Sequence, residues 1–351
     1  MRIAQIAPLY EAVPPKSYGG TERVVSWLTE ELVRQGHDVT LFASGDSRTS
    51  ARLEPVWPKS FRGSPVLDPI ALHMVMLERV RQRAAEFDIL HFHLDYLPFA
   101  LFSRQSTPFV TTLHGRLDLP ELQQVFTAFA TAPVVGISHS QRRPVPQAGW
   151  VATIHHGLPE HSLTPRYERG EYLAFLGRIA PEKRVDRAVE IAARCGMNLK
   201  IAAKIDRVDA AYFEAEVKHL FDQPHVEFIG EIDDSRKSDF LGRASALLCP
   251  IDWVEPFGLV MIEAMACGTP VIVYDKGSAR EVVDEGVTGF IVKNEAEAAA
   301  AVARAIELPR PSIRKQFEKR FTAKRMTDEY LEVYRALIEQ QDMPAQQLKR
   351  A

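Results

Sequence analysis

Residues 259–275 have the sequence LVMIEAMACGTPVIVYD, which contains the local signals that decide the fold. A helical apolar stretch is stopped by Gly268, and a short strand, predicted over Val271–Asp275, follows at once. Its run VIVY (271–274) is continuously apolar instead of alternating, so both faces of the strand must be covered. The runs VVGIS (134–138) and LAFLG (173–177) have the same character. The pattern predicts parallel sheets with helices on both sides.

Further apolar runs of this kind alternate with helical stretches along the whole chain. The predicted strands are Arg2–Ala7, Asp38–Ala43, Asp88–His93, Phe109–His114, Val134–Ser138, Val151–His155, Tyr172–Arg178, Leu199–Lys204, Val226–Ile232, Ala246–Ile251, Val271–Asp275 and Gly289–Lys293. Alternation of strand and helix implies right-handed crossovers within parallel sheets. Two series of strands, one in each half, predict an α/β protein with two doubly wound domains. We expect a ligand in a cleft where the carboxyl ends of the two sets of strands converge.

The domain boundary is predicted within residues 155–171, a polar segment with two glycines and two prolines. The prediction is an N-terminal domain over residues 1–160 and a C-terminal domain over residues 161–316. Residues 317–340 are expected to form one long amphipathic helix, and residues 341–351 a flexible tail.

Composition excludes several classes of protein. Of 351 residues, 46% are hydrophobic and 25% charged, which is ordinary for a globular protein. The net charge of −3 provides no basic field for nucleic acid. No apolar run approaches the roughly 20 residues that span a bilayer. The N-terminus lacks the features of a signal peptide, and the 3 cysteines have no metal-ligand spacing. We therefore predict a cytoplasmic protein.

The glycines and aspartates limit the ligand. No two of the 19 glycines are separated by a single residue, so the dinucleotide fingerprint G-x-G-x-x-G is absent, as is a P-loop. No Asp-x-Asp pair is present to hold a divalent cation. If the protein binds a diphosphate, we expect cationic side chains and helix N-termini to neutralise it, with no metal and no cofactor.

Two cations follow a predicted strand in the second half. Arg178 ends the strand Tyr172–Arg178, and Lys183 lies in the first turn of a helix predicted to start at Pro181. Together with free amide groups they could bind two phosphates. The alternative is a solvated Arg and Lys in an ordinary loop.

The segment from Glu255 to Glu263 combines a loop carboxylate, a glycine and a helix start. Gly258 permits close approach of the backbone, and a helix begins near Leu259. Glu263 is the one charged residue on an otherwise apolar helix, so its carboxylate needs a partner or a ligand. The alternative places Glu263 on a surface helix and makes Glu255 a simple partner of the helix dipole.

Four motifs resemble those of the retaining family 4 glycosyltransferases of the GT-B fold. They are E255-P-F-G-L-V-M-I-E263, G177-R178-I-A-P-E182-K183, Y18-G19-G20-T21-E22 and T112-L113-H114-G115. Their order and spacing are those of the family over residues 1 to about 300. The resemblance implies two Rossmann-like domains facing across a cleft and a nucleotide-sugar donor. It also implies a hydroxyl acceptor of unidentified chemistry.

The resemblance also implies roles for individual residues. Catalytic roles fall to Glu255, Arg178, Lys183 and His114. Donor binding is assigned to Gly19, Gly20, Arg178, Lys183, Lys204, Ile232, Glu255, Phe257, Gly258, Leu259, Val260 and Glu263. Arg178 and Lys183 would stabilise the departing diphosphate, Glu255 would bind hydroxyls of the sugar, and Glu263 would bind the ribose. Transfer would be metal-independent, with same-face attack by the acceptor hydroxyl. The family's Asn-Gly after the last N-domain strand is replaced by His156-Gly157.

Three alternatives stay open. His91 and His93, followed by Asp95, mimic part of a metal-hydrolase motif. A GT-B-fold nucleotide-sugar epimerase or a non-catalytic nucleotide-sugar binder would carry the same donor motifs. Residues 72–87, with Arg79, Arg81 and Arg83, could place the protein weakly at a membrane surface, peripheral to the inner face.

Overall fold

The computed structural model describes residues 1–16, 19–62 and 64–348, with side chains described as far as residue 341. These residues form two compact units. The first comprises Met1–Gly157 and the chain from Ala323 onward, and the second comprises Leu158–Thr322. The chain therefore changes unit a few residues from the expected boundaries at 160 and 316.

Each unit contains one parallel sheet. The strands are β1 (Arg2–Ile6), β2 (Asp38–Ser44), β3 (Arg52–Trp57), β4 (Ile89–Phe92), β5 (Phe109–Thr112), β6 (Pro133–Gly136), β7 (Gly149–Thr153), β8 (Tyr172–Arg178), β9 (Leu199–Lys204), β10 (Val226–Gly230), β11 (Ala244–Cys249), β12 (Val271–Tyr274) and β13 (Gly289–Val292).

The helices lie between these strands and at the end of the chain. They are α1 (Gly20–Arg34), α2 (Pro69–Arg83), α3 (Phe99–Phe102), α4 (Pro120–Ala128), α5 (His139–Arg142), α6 (Val185–Cys195), α7 (Ala210–Tyr212), α8 (Asp234–Gly242), α9 (Leu259–Ala266), α10 (Ala279–Val282), α11 (Glu295–Ile306), α12 (Arg310–Arg320) and α13 (Ala323–Leu348). Shorter 3₁₀ turns lie at Ala84–Glu86, Pro181–Lys183, Arg207–Asp209 and Lys218–Asp222, and a π-helical turn at Phe213–Val217.

Strand order confirms the doubly wound α/β prediction for both units. The first sheet has the order β3-β2-β1-β4-β5-β6-β7, and the second β10-β9-β8-β11-β12-β13. Every position of β11 and β12 is buried, as expected for strands covered on both faces. The order reverses between β1 and β4 in one sheet and between β8 and β11 in the other. At such reversals the loops diverge and leave a crevice at the carboxyl ends.

One strand was absent from the predicted set. β3 pairs with β2 at the edge of the first sheet, and of its residues only Val56 is buried. Its sequence, RLEPVW, contains two charged residues and Pro55. A proline is tolerated on an edge strand, where its missing N–H costs no ladder bond. An edge strand that buries so little has no apolar run, which is why the pattern missed it.

The single C-terminal helix predicted over residues 317–340 is wrong. The chain leaves the helical conformation at Phe321 and Thr322, between α12 and α13. The carbonyl of Phe321 accepts a hydrogen bond from the N–H of Leu158 at 3.0 Å, and Thr322 forms a bridge with Leu158. This long-range pairing interrupts the helix, and no glycine or proline marks the place.

The backbone of α13 continues to Leu348, beyond the expected helix end at residue 340, and a flexible tail at residues 341–351 stays a prediction. Residues 349–351 lie outside the described part of the chain. Within the first unit α13 packs against α1. Its side chains Tyr330 and Tyr334 are fully buried near the carboxyl ends of the strands.

Candidate functional site

The carboxyl ends of β8 and β9 place two cations side by side. Arg178, the last residue of β8, is the ladder partner of Lys204, the last residue of β9. The side chain of Lys204 forms an ion pair with Asp206 at 2.9 Å. The sequence predicted both cations at strand ends, and parallel pairing makes them neighbours.

Arg178 lies between two carboxylates. Its Nη2 is 2.6 Å from Oε1 of Glu182, and its Nη1 is 3.5 Å from Oδ2 of Asp209. Burial raises the pKa of Asp209, with Arg178 acting in the opposite direction. The guanidinium is thus held at the carboxyl end of β8 by two acidic groups.

The predicted helix start at Pro181 needs correction. Pro181–Lys183 form a 3₁₀ turn, and α6 begins only at Val185, after Arg184 in the left-handed region at φ 52°. Lys183 therefore precedes α6 instead of occupying its first turn. The turn is held by a hydrogen bond from the N–H of Asp252 to the carbonyl of Glu182, at 2.8 Å. This bond joins the residues after β8 to the loop after β11.

Lys183 contacts Glu255 directly. Its Nζ is 2.5 Å from Oε2 of Glu255 and lies 4.9 Å from the ring centroid of Trp253. The indole Nε1 of Trp253 donates to the same carboxylate oxygen at 2.9 Å. Only 12% of the Glu255 side chain is exposed. One oxygen of Glu255 is thus engaged from two sides in a largely desolvated position.

A second loop holds the backbone of Glu255 in place. The N–H of Ser278 donates to the carbonyl of Glu255 at 3.0 Å, and its hydroxyl donates to the carbonyl of Phe257 at 2.7 Å. Gly277 adopts φ +58°, and a Cβ there would lie 2.2 Å from the carbonyl oxygen of Glu255. Glycine is therefore required for this close approach.

Gly258 opens α9 in the left-handed region, at φ +83°. The N–H of Met261 bonds to the carbonyl of Gly258, so the amides of Leu259 and Val260 lie in the first turn, where helix geometry provides no acceptor. The side chain of Phe257 is buried, 6.2 Å from the ring of Phe321. Phe257 can therefore offer a ligand only its backbone.

Glu263 has a partner within the protein. It is buried on α9, which excludes the alternative of a surface position, and its Oε1 is 2.6 Å from Nζ of Lys237 on α8. Lys237 also lies 3.1 Å from Asp234. Lys237 is thus the partner that the buried carboxylate needs. The spacing of apolar residues along the helix did not predict this pairing. The expected contact with ribose stays a prediction.

Ile232 lies just beyond β10. The strand ends at Gly230 (φ +73°), two residues earlier than predicted, and Ile232 is buried. Its side chain is directed into the protein, so a contact with a base would come through the backbone of this loop.

In the first unit, Gly19 and Gly20 form the start of α1. Gly19 is buried, and a Cβ on it would come within 2.9 Å of Cβ and Cγ of Pro15. The carbonyl of Gly19 accepts from the N–H of Arg23 at 3.1 Å. Tyr18, the first residue of the predicted motif, lies outside the described residues.

His114 follows β5 and belongs to a group of buried imidazoles. Its Nε2 is 2.9 Å from Nδ1 of His93, and its ring stacks on His156 with the centroids 5.3 Å apart. Burial lowers the pKa of His114 to about 3 and holds the pKa of His93 and His156 well below the usual range. All three side chains are neutral at physiological pH.

The metal-hydrolase alternative finds no support in the arrangement of its histidines. Both ring nitrogens of His91 form hydrogen bonds within the protein: Nδ1 with the hydroxyl of Tyr334 at 2.6 Å, and Nε2 with the hydroxyl of Thr112 at 2.7 Å. Asp95 is exposed and does not approach them as a third ligand. Among the described residues, no group of three His, Cys, Asp or Glu side chains is arranged to hold a metal ion.

Two family models match this chain. The Glycosyltransferase Family 4 model matches residues 18–180, and the Glycosyl transferases group 1 model matches residues 160–323. The chain belongs to the family 4 glycosyltransferases. It is therefore an enzyme that transfers a sugar from a nucleotide-sugar donor, and its two doubly wound units are those of the GT-B fold.

Similarity to individual proteins extends over most of this glycosyltransferase. A phosphatidyl-myo-inositol mannosyltransferase of Propionibacterium freudenreichii is 27% identical, over 88% of this chain and 87% of the relative. The sucrose-phosphate synthase of Thermosynechococcus elongatus superposes with a TM-score of 0.79 at 20% identity, covering 97% and 99% of the two chains. Anabaena HepE, solved with UDP-glucose, superposes with a TM-score of 0.72 at 18% identity, covering 96% and 100%.

The basic helix of the glycosyltransferase is α2, Pro69–Arg83, which begins three residues before and ends four residues before the predicted helix at 72–87. Arg81 pairs with Glu78, and Arg83 with Glu54 and Glu86, while Arg79 donates to backbone carbonyls. Within the described residues, no helix combines the length and apolar character needed to cross a bilayer. Association of α2 with a membrane surface stays a prediction.

Sequence reasoning missed several residues that build this glycosyltransferase's site. They are Trp253, Gly277, Ser278, Lys237 and Asp209. Trp253, two residues from Glu255, could have been noticed from its place in the motif loop. The others act from distant segments, and nothing local in the sequence marks them.

Proposed function

We propose that this enzyme moves a hexose from a UDP- or GDP-linked donor to a hydroxyl group, with retention at the anomeric carbon and without a metal cofactor. The observation that carries the proposal is the position of Arg178, Lys183 and Glu255 around the reversal point between β8 and β11. Crevices at such points are where open α/β sheets bind ligands.

The diphosphate would exchange with carboxylates that already hold the cations. Arg178 is paired with Glu182, Lys183 with Glu255 and Lys204 with Asp206. Phosphate oxygens are strong acceptors for the same donors, and Arg can bind them in a bidentate manner. The amides at the start of α9 add donors at the positive end of a helix dipole. Negative charge that develops on the leaving diphosphate would thus meet preorganised donors.

Glu255 would orient the donor sugar. Its carboxylate accepts from Lys183 and from Trp253, and when Lys183 turns to the phosphates, an oxygen lone pair becomes available to a sugar hydroxyl. A double displacement would require a carboxylate nucleophile against the anomeric carbon, whereas Glu255 is expected to bind hydroxyls of the sugar. We therefore favour attack of the acceptor hydroxyl on the face that the diphosphate leaves.

The nucleoside would lie toward α8, α9 and the loop after β10. Glu263 would accept from ribose hydroxyls while Lys237 keeps its charge compensated. The backbone around Ile232 would contact the base. This arrangement would explain why α9, which is otherwise apolar, carries a buried carboxylate paired with Lys237.

The acceptor would be bound by the first unit, through His114, Gly19, Gly20 and residues within the segments 44–70, 94–100, 116–124 and 139–150. The names of the relatives support hexosyl transfer and allow lipid-linked as well as soluble acceptors. The structure of the UDP-glucose complex of HepE supports UDP as one candidate nucleotide of the donor.

A thermal-shift screen of UDP-, GDP- and ADP-sugars in the presence of EDTA tests the donor and the metal independence together. A donor at 100 times its dissociation constant should stabilise the protein by about 2.7 kcal/mol. Transfer to an acceptor panel follows with the donor that binds, and the anomeric configuration of the product is measured by NMR. Stabilisation only with a divalent cation, or an inverted product, contradicts the proposal.

Product analysis separates the remaining alternatives. An epimerase would change the sugar nucleotide or release the nucleotide without any acceptor. A non-catalytic binder would show the thermal shift and no product with any acceptor in the panel.

A further inference from the structure

A buried chain of polar side chains crosses the carboxyl end of the first sheet. Gln5, on β1, is fully buried. Its Oε1 is 2.9 Å from Nε2 of His93, and its Nε2 donates to the hydroxyl of Tyr334 at 3.1 Å. Nδ1 of His93 in turn is 2.9 Å from Nε2 of His114. Gln5 thus connects one arm ending at His114 with a second arm ending at α13.

The direction of each hydrogen bond in the first arm follows from the amide. A carbonyl oxygen only accepts, so Nε2 of His93 must carry a proton. Burial keeps both imidazoles neutral, with one N–H each. Nδ1 of His93 is then an acceptor, and the proton of the His93–His114 bond belongs to Nε2 of His114. Nδ1 of His114 is left as a lone pair.

The second arm agrees with this direction. Because the hydroxyl of Tyr334 accepts from Gln5, it can donate to Nδ1 of His91 at 2.6 Å. Nε2 of His91 then donates to Thr112 at 2.7 Å. Every donor in both arms meets an acceptor.

An inverted Gln5 amide would reverse both arms. It would place a proton on Nδ1 of His114, a buried atom with no hydrogen-bond partner among the described residues. An orphaned buried N–H is among the rarest features of folded proteins. With Oε1 of Gln5 toward His93, Nδ1 of His114 carries a lone pair instead, and no N–H is orphaned at this position.

We propose that Gln5 is a positioning residue that fixes the proton of His114 on Nε2, through His93, so that Nδ1 accepts a hydrogen bond from a ligand hydroxyl. Identifying that ligand as a substrate of glycosyl transfer rests on the proposed function. The placement of the proton does not.

The consequence is selectivity for a hydroxyl. A site that presents a single fixed acceptor binds O–H and rejects a fluorine or methoxy group at the same position, because the acceptor is then left unpaired. Analogues of the donor or acceptor with single hydroxyls replaced should identify the group concerned.

The test is a long-range ¹H–¹⁵N correlation spectrum of the full chain with ¹⁵N-labelled histidine, with His114→Gln used to assign the resonance. We expect one tautomer for His114, protonated at Nε2. A proton on Nδ1 of His114 in the parent protein overturns the proposal.

Two substitutions in the same buried network test the role of Gln5 itself. Gln5→Leu removes the acceptor of His93 at similar volume, so His114 should lose its single tautomer. Tyr334→Phe removes the hydroxyl on the other side of Gln5 and should leave the His114 tautomer as it is. An unchanged tautomer in Gln5→Leu contradicts the proposal, as does the same change in Tyr334→Phe.

These readouts are independent of catalysis. If no transfer is found with any donor, the proposed function fails while the proton placement can still be measured. If transfer is found and the proton lies on Nδ1, only the role of Gln5 fails.

Discussion

Lys183 and Glu255 are 72 residues apart in the chain, yet Nζ of the first lies 2.5 Å from Oε2 of the second. The cation expected to bind phosphate is thus in direct contact with the carboxylate expected to bind sugar. Under the proposed function the donor exchanges this contact, so we expect the two residues to be energetically coupled.

Glu255→Gln should lower kcat about 10²-fold, because a preorganised partner of the sugar is lost. It also frees Lys183 for the diphosphate, so the KM for the donor should change much less than kcat. Steady-state kinetics with varied donor measure both constants. Glu190→Gln is a matched control, since Glu190 pairs with Arg194 on the surface at 50% exposure. Equal kinetics for Glu255→Gln and the control would remove Glu255 from the site.

Lys183→Ala and Arg178→Ala should each reduce turnover at least about tenfold without unfolding the protein. Each removes a donor from the leaving diphosphate. Turnover and thermal midpoints are measured together, because loss of fold must be separated from loss of chemistry. Unchanged turnover in both variants is incompatible with the proposed diphosphate site.

Asp209→Asn should strengthen binding of the nucleoside diphosphate by about two- to fivefold, within the range of a partly exposed ion pair. Asp209 lies 3.5 Å from Arg178 and competes with phosphate for the guanidinium. Isothermal titration with UDP and GDP measures the effect. Asp186→Asn, at a carboxylate that pairs with Arg184, serves as the control. Weaker binding in Asp209→Asn would mean that Asp209 orients Arg178 instead of competing for it.

Gly277→Ala should abolish donor binding and lower stability by more than the roughly 1–3 kcal/mol that a side chain at positive φ costs. The added Cβ would meet the backbone of Glu255 at 2.2 Å. Gly286→Ala is the control, since Gly286 has φ +73° and a Cβ there meets nothing within 4 Å. The difference in free energy of unfolding between the two variants isolates the contact with Glu255. Equal stability and equal binding contradict it.

The fold could be predicted from the sequence because its signals are local. Runs such as Val271–Tyr274 are apolar at every position, and this pattern has few structural solutions. The sequence did not predict β3, because this strand buries few of its side chains. It did not predict the break at Phe321, because that break depends on pairing with Leu158. Neither leaves a periodic or turn signal.

The site could be predicted only in part, for a related reason. Arg178, Lys183 and Glu255 stand at strand ends and in a motif loop, so the strand order is enough to bring them together. The supporting contacts of Ser278, Lys237 and Gln5 join segments far apart in the chain. They depend on register and side-chain packing, which no short spacing in the sequence records.

Because His93, His114 and His156 are buried, we expect the free energy of unfolding to decrease at acidic pH. Burial lowers the pKa of His114 to about 3, so the unfolded chain binds this proton more readily than the native state. Stability should therefore fall as the pH drops through the unfolded pKa of about 6.5, by at most about 1.4 kcal/mol per pH unit for each proton. Denaturant unfolding between pH 7 and pH 4 measures the slope.

His114→Phe should flatten this pH dependence by about one proton. His161→Gln, which removes an exposed imidazole, should keep the slope of the parent. An identical slope in His114→Phe and the parent would show that His114 is not charged on unfolding.

The pair of Glu263 and Lys237 allows a structural role to be separated from a nucleotide contact. Both side chains are at most 12% exposed, so Lys237→Met alone should cost about 3–5 kcal/mol by leaving a buried carboxylate uncompensated. The double variant Glu263→Gln, Lys237→Met should recover most of this loss.

If Glu263 also accepts from ribose, the parent should bind UDP about tenfold more tightly than 2′-deoxy-UDP, one charged hydrogen bond being worth about 1.5–3 kcal/mol. That preference should disappear in the double variant, and a preference that survives there would confine Glu263 to its structural pairing with Lys237.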